Sequence, residues 1–222
     1  MECWLRDKCK KYQEVKECDA SCIKFIKLDY LFKNSLLSDI QRKHLNLIAE
    51  NIDSEAFKKL KGIENTIEQF VNNGDNLYIY SNITGNGKTA WATRFIQAYF
   101  NKIWPKCSLS CKALFINVPK FFLELKHSLS NPSAYIDHIK ANICSADIVV
   151  WDEVATKAAT EFEHENLLSL IDYRINLGKS NIYTSNIFPE ELEIKLGMRL
   201  YSRIINNSTI IQLRGQDKRG LI

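Results

Sequence analysis

The segment Ser81-Asn82-Ile83-Thr84-Gly85-Asn86-Gly87-Lys88-Thr89 combines the residue types that hold a triphosphate. Glycines let consecutive backbone N–H groups turn toward one anion, and a helix starting at Lys88 adds unpaired donors and the positive end of its dipole. In that arrangement Lys88 reaches the β- and γ-phosphates of ATP, and Thr89 places its hydroxyl on Mg²⁺. The usual spacing opens with glycine where this chain has Asn82. Asparagine enters left-handed backbone conformations more readily than most residues, so the turn can survive the exchange. Gly85, Asn86 and Gly87 complete the loop.

Two carboxylates, Asp152 and Glu153, follow the apolar run Ile148-Val149-Val150-Trp151. They would lie at the C-terminal end of a strand, where ligands collect in open α/β sheets. Asp152 suits the Mg²⁺ shell, and Glu153 suits polarisation of an attacking water. Asn186, after Ile182-Tyr183-Thr184-Ser185, falls at the same edge and is a candidate γ-phosphate and water sensor, although a strand-end Asn is commonly a turn residue. Arg199 and Arg203 are four apart and share one helix face. They read either as a solvated basic face or as cations offered to a phosphoryl group in a neighbouring subunit.

Cys3, Cys9, Cys18 and Cys22 place four thiols within 20 residues. Four thiolates suit tetrahedral Zn²⁺, and metal ligation would supply folding energy to a stretch too short for a core of its own. Zinc is the preferred reading. The spacing lacks paired C-x-x-C knuckles, so unligated thiols and an iron–sulfur cluster remain open. Cys107, Cys111 and Cys144 read as ordinary thiols, and the four histidines show no ligand spacing.

The elements that must position these groups are five short runs rich in β-branched and aromatic residues: 77–80, 114–118, 148–151, 182–184 and 209–213. Helical patterns separate them, which predicts a parallel sheet with helices on both faces, an α/β sandwich. Residues 1–34 form a cysteine-rich region. Residues 35–63 show apolar positions at helical spacing (Ile40, Leu45, Leu47, Ile48), end in a basic run at 57–62 and read as a helical connector. Residues 64–222 form the body. A chain of 222 residues with 45% hydrophobic content supports a folded core, and a net charge of +4 permits nucleic-acid contact without demanding it. No run approaches the roughly 20 apolar residues of a membrane helix, and the N-terminus is charged, so the expectation is a soluble, cytoplasmic protein.

The Gly-Lys-Thr loop, Trp151-Asp152-Glu153, Tyr183-Thr184-Ser185-Asn186, Leu196-Gly197 with Arg199 and Arg203, and Arg214-Gly215-Gln216-Asp217-Lys218-Arg219 together resemble the helicase-loader branch of the AAA+ ATPases, the DnaC/DnaI type. The resemblance spans about residues 64–220. It implies a three-layer P-loop sandwich with a five-stranded parallel sheet and no C-terminal helical lid. It also implies Asn186 as sensor 1, Arg203 as the arginine finger, Arg199 as a second interface cation and Arg219 as a sensor 2-like residue. The implied partners are a hexameric DnaB-type replicative helicase, contacted through the cysteine-rich module, and single-stranded DNA. Self-association through the ATP site and slow hydrolysis without partners follow from a finger supplied in trans. Two other functions fit similar motor motifs: an IstB-like transposition helper ATPase, against which the cysteine-rich module argues, and a nucleotide-regulated adaptor without hydrolysis, against which Glu153 argues.

Overall fold

The computed structural model describes residues 9–15, 21–39, 41, 54–155 and 159–214. Cys3, Cys18, Arg219 and the connector positions Ile40, Leu45, Leu47 and Ile48 lie outside the described residues. In chain order the elements are α1 (Lys10–Val15), α2 (Ile23–Asn34), α3 (Ser54–Asn65), α4 (Ile67–Asn73), β1 (Asn76–Tyr80), α5 (Lys88–Ile103) and β2 (Ala113–Asn117). Then come α6 (Val118–His127), α7 (Ala134–Asn142), β3 (Ile148–Asp152), α8 (Glu161–Asn176), β4 (Ser180–Ser185), α9 (Pro189–Ile205) and β5 (Ser208–Gln212).

The five strands form one parallel sheet in the order β2-β3-β4-β1-β5. The expected α/β sandwich and five-stranded parallel sheet are thus both present, with strand ends displaced by one or two residues. β1, β2 and β3 are buried along almost their whole length because both faces are covered, whereas the edge strand β5 leaves Thr209 and Ile210 exposed. Successive side chains alternate across the pleat, so Leu77 and Ile79 enter one core while Tyr78 enters the other. The first core gathers Leu28, Leu31 and Phe32 of α2, Leu60 of α3, Phe70 of α4 and Phe95, Ile96 and Phe100 of α5. The second holds Phe121 and Phe122 of α6, Ile136 and Ile139 of α7, Leu167 and Ile171 of α8 and Leu192, Leu200 and Ile204 of α9.

Helix α2, which follows Cys22, is bound firmly to this body. Phe32 meets Phe100 edge to face with ring centroids 5.1 Å apart, and the Ser35 carbonyl accepts from Phe115 N at 2.7 Å. The Asn34 carbonyl lies 2.9 Å from His138 Nε2. In α3, the basic run is partly neutralised: Lys59 pairs with Glu55 and Lys61 with Glu64, each at 2.8 Å.

Helix α9 is broken at Gly197, whose φ of 75° and ψ of 156° are non-helical. Only glycine adopts this backbone without strain. The chain therefore changes direction between the part that packs Leu192 and Leu196 and the part that carries Arg199 and Arg203. No helix among the described residues is long and apolar enough to cross a membrane.

Candidate active site

Strands β1, β3 and β4 end side by side, and the loops leaving them build one cavity. After β1, Gly85 (φ 72°) and Gly87 (φ 100°) use left-handed backbone, and Gly87 caps the N-terminus of α5. The expectation that Asn82 also occupies that region is not met. Among the described residues, the non-glycine positions with positive φ are Leu36, Glu153 and Ala155. The turn at Asn82 stays on the side of φ open to any residue, which explains why glycine is dispensable there.

Lys88 lies buried within its own loop. Its Nζ donates to the carbonyls of Ser81 (3.3 Å) and Ile83 (3.0 Å) and to Asn86 Oδ1 (3.2 Å). These carbonyls are weaker partners for an ammonium than phosphate oxygens. Asn86 is itself buried, and its Nδ2 donates to the Leu213 carbonyl at 3.1 Å, joining the loop to the end of β5.

Across the cavity, Asp152 Oδ1 accepts from Thr89 Oγ1 at 3.0 Å and from Thr184 Oγ1 at 2.7 Å. Burial pushes the Asp152 carboxyl above the usual carboxylate range, while those hydroxyl bonds pull the other way and the neighbouring Glu153 charge raises it further. A cation placed beside it would restore the ionised form. The donor set fits Mg²⁺: a hydroxyl and a carboxylate oxygen from the protein, with phosphate and water oxygens completing the shell of a hard ion.

Glu153 sits at a φ of 62°, an uncommon conformation for a side-chain-bearing residue. Two contacts hold it. Its amide donates to Thr184 Oγ1 at 3.0 Å, and its Oε2 accepts from Asn117 Nδ2 at 3.2 Å. Asn117 also caps α6 through an Oδ1 contact with Lys120 N at 3.1 Å. One amide therefore fixes both the helix start and the carboxylate. Strained backbone of this kind clusters at working sites, where surrounding structure over-determines it.

The cavity, about 230 Å³, is lined by Gln41, the Gly85 to Thr89 loop, Glu153, Thr184 and Asn186. The Gly85 to Thr89 loop, Glu153 and Asn186 thus line one cavity, with Asp152 immediately behind. Arg199 and Arg203 do not line it. Arg199 is exposed and has no side-chain partner among the described residues. Arg203 Nε pairs with Asp172 Oδ1 of α8 at 2.5 Å, and its side chain is 48% exposed. Cys9 is half-buried and Cys22 exposed, both as free thiols. Among the described residues no cluster of three or more His, Cys, Asp or Glu could hold a metal by itself.

Sequence reasoning missed Asn117, Thr184 and Gln41. Thr184 lay inside a quoted motif, but its hydroxyl gains meaning only when β4 pairs with β3 and lies beside Asp152. Asn117 precedes Pro119, a familiar helix-start signal, yet its contact with Glu153 depends on β2 neighbouring β3.

No protein-family model and no curated protein matches this chain. Solved structures do. The crystal structure of the DnaC helicase loader aligns with a TM-score of 0.61 at 18% identity, covering 80% of this chain and 100% of that one. The structure of DnaI gives 0.62 at 21% identity, covering 78% and 94% respectively. The replication initiator DnaA, bound to AMPPCP and single-stranded DNA, gives 0.60 at 17% identity, covering 78% of this chain and 50% of that one. The chain shares the fold of these solved structures, the DnaC helicase loader among them.

Proposed function

We propose that this chain is an ATP-dependent helicase loader that binds a hexameric DnaB-type replicative helicase, helps place it on single-stranded DNA and uses its nucleotide state as the switch. The observation that carries the reading is the coincidence, at one sheet edge, of the Gly85 to Thr89 loop with the Thr89, Asp152, Thr184 and Glu153 constellation, on a fold similar to the DnaC helicase loader.

In this reading the loop amides and Lys88 take the β- and γ-phosphates when Lys88 exchanges its carbonyl partners for phosphate oxygens. Thr89 and Asp152 hold Mg²⁺, whose chemistry is to neutralise charge on the transferred phosphoryl group. Glu153 orients the attacking water once released from Asn117, and Asn186 contacts the γ-phosphate or that water. Arg203 serves a neighbouring subunit's site, with the Asp172 ion pair setting its direction. Arg199 lies beside it at that interface. Arg219 remains a sensor 2-like proposal. Cys3, Cys9, Cys18 and Cys22 remain a proposed Zn²⁺ site in the module that meets the helicase.

The test is gel filtration of the purified chain with a replicative helicase hexamer, with and without Mg·ATP. Co-elution that changes with nucleotide supports the loader. Failure to bind the helicase combined with assembly on duplex DNA would instead assign the transposition helper. A finger in trans raises hydrolysis by about 10³ to 10⁵ in other nucleotide hydrolases, so Arg203→Ala should lose stimulated turnover while keeping ATP binding.

A further inference from the structure

The phosphate loop, Glu153 and Asn186 account for the triphosphate end of the cavity. A further lining side chain reaches the cavity from a distant part of the chain: Gln41. Its carboxamide is oriented by Ser38 in a reciprocal capping arrangement. Ser38 N and Ser38 Oγ approach Gln41 Oε1 at 2.9 and 3.0 Å, and Gln41 N donates back to Ser38 Oγ at 3.2 Å. A backbone N–H can only donate, so the atom facing Ser38 must be the carboxamide oxygen. Both of its lone-pair directions are then occupied. The nitrogen is left with two hydrogens and no partner among the described residues, on a half-buried side chain lining the cavity.

A donor held this way cannot read a group that itself donates. It can meet only an acceptor, and the β- and γ-phosphates already have the loop amides, Lys88 and Thr89. The acceptors beyond the β- and γ-phosphates are the α-phosphate oxygens and, on the nucleoside, ring nitrogens of the base and ribose oxygens. We propose that Gln41 is the nucleoside-recognition residue of this site, its Nε2 donating to an acceptor on the base or ribose while Ser38 fixes the carboxamide. This rests on the nucleotide-binding reading of the cavity and goes beyond it by separating recognition of the nucleoside from recognition of the phosphates. With its oxygen committed to Ser38, Gln41 favours a nucleoside over bare polyphosphate and is indifferent to the exocyclic amino group of adenine.

The test compares two magnesium-loaded probes, ATP and inorganic tripolyphosphate, by titration calorimetry on the full chain. Gln41→Ala should weaken ATP about fivefold, the worth of one hydrogen bond of about 1 kcal/mol, and change tripolyphosphate less than twofold. Gln41→Glu keeps an acceptor for Ser38, and with it the capping arrangement, while removing the donor. It should leave the thermal midpoint unchanged and lower the ATP-to-tripolyphosphate affinity ratio as Gln41→Ala does. Equal losses for both probes, or an unchanged ratio in either variant, overturn the proposal while leaving the nucleotide site standing. If the parent binds neither probe, or Lys88→Ala binds both as the parent does, the nucleotide reading itself fails.

Discussion

Strands β3 and β4 carry buried polar clusters at both ends, and the two are built on opposite principles. At the amino end, Arg174 of α8 is fully buried yet well supplied with acceptors: Asn181 Oδ1 at 2.8 Å and the carbonyls of Ala146 (2.9 Å), Ser180 (2.7 Å) and Ile143 (2.5 Å). Asn181 also accepts from the Trp151 indole at 3.1 Å and donates to Asn76 Oδ1 at 2.9 Å. Burial lowers the Arg174 guanidinium to about 10, which leaves it charged at neutral pH. At the carboxyl end the groups are held by partners that a phosphate or a cation could replace. Lys88 rests on loop carbonyls, Asp152 is pushed toward its neutral form, Glu153 sits on strained backbone, and Asn186 faces the cavity. The difference sets a fixed framework beside a candidate site in one molecule. The amino-end network needs nothing further, whereas at the carboxyl end a cation would relieve the burial of Asp152 and a phosphate would offer Lys88 stronger acceptors.

The largest effect should separate the two ends by activity. Glu153→Gln removes the group proposed to orient water and should lower ATP turnover about 10² to 10⁴-fold while ATP affinity changes little, measured by steady-state hydrolysis and calorimetry. Arg174→Met should do the reverse. Stranding buried carbonyls and Asn181 should cost about 3 kcal/mol in denaturant unfolding, with ATP affinity of the folded fraction unchanged.

Asp152→Asn sharpens the contrast further. A carboxyl whose folded pKa is raised contributes stability that is present below its unfolded pKa and lost as pH rises through the folded value. Replacing it by an amide should therefore raise the thermal midpoint of the nucleotide-free protein at pH 7, as read by thermal unfolding. That gain should shrink as pH falls below the ordinary carboxylate range, and Mg²⁺-dependent hydrolysis should be lost at every pH. The smallest effect concerns an exception in the framework. The Tyr183 hydroxyl is buried without a hydrogen-bond partner among the described residues. Tyr183→Phe should be neutral or stabilising by less than about 1 kcal/mol in the same unfolding assay, with hydrolysis unaltered.

Much of the carboxyl end was legible in the sequence because local order encodes it. A strand, a glycine-bearing turn and a helix start are all short-range patterns, so Gly85 to Thr89 and Asp152-Glu153 could be placed before any strand order was known. The amino end was hidden. Arg174 looks like a solvent-facing residue of an amphipathic helix, and only the approach of the chain around Ile143 and Ala146 gives it acceptors. Asn117 and Thr184 were hidden for the same reason, since their roles arise across strand pairs far apart in sequence. Gly197 was visible as a residue but not as a break, because one glycine within a helical pattern is compatible with an unbroken helix. At Asn82 the conformational argument was unnecessary, as the backbone there never enters the region that glycine favours.

The central claim, that the carboxyl end of the sheet is a nucleotide site and the amino end a fixed support, is tested most directly by thermal unfolding with and without Mg·ATP. A ligand bound only to the folded state at about 100 times its Kd adds about 2.7 kcal/mol. The account predicts such a magnesium-dependent rise in the parent and an equal increment in Arg174→Met from its lower starting point, with no rise in Lys88→Ala. A rise of the parent's size in Lys88→Ala, or none in the parent, would contradict it.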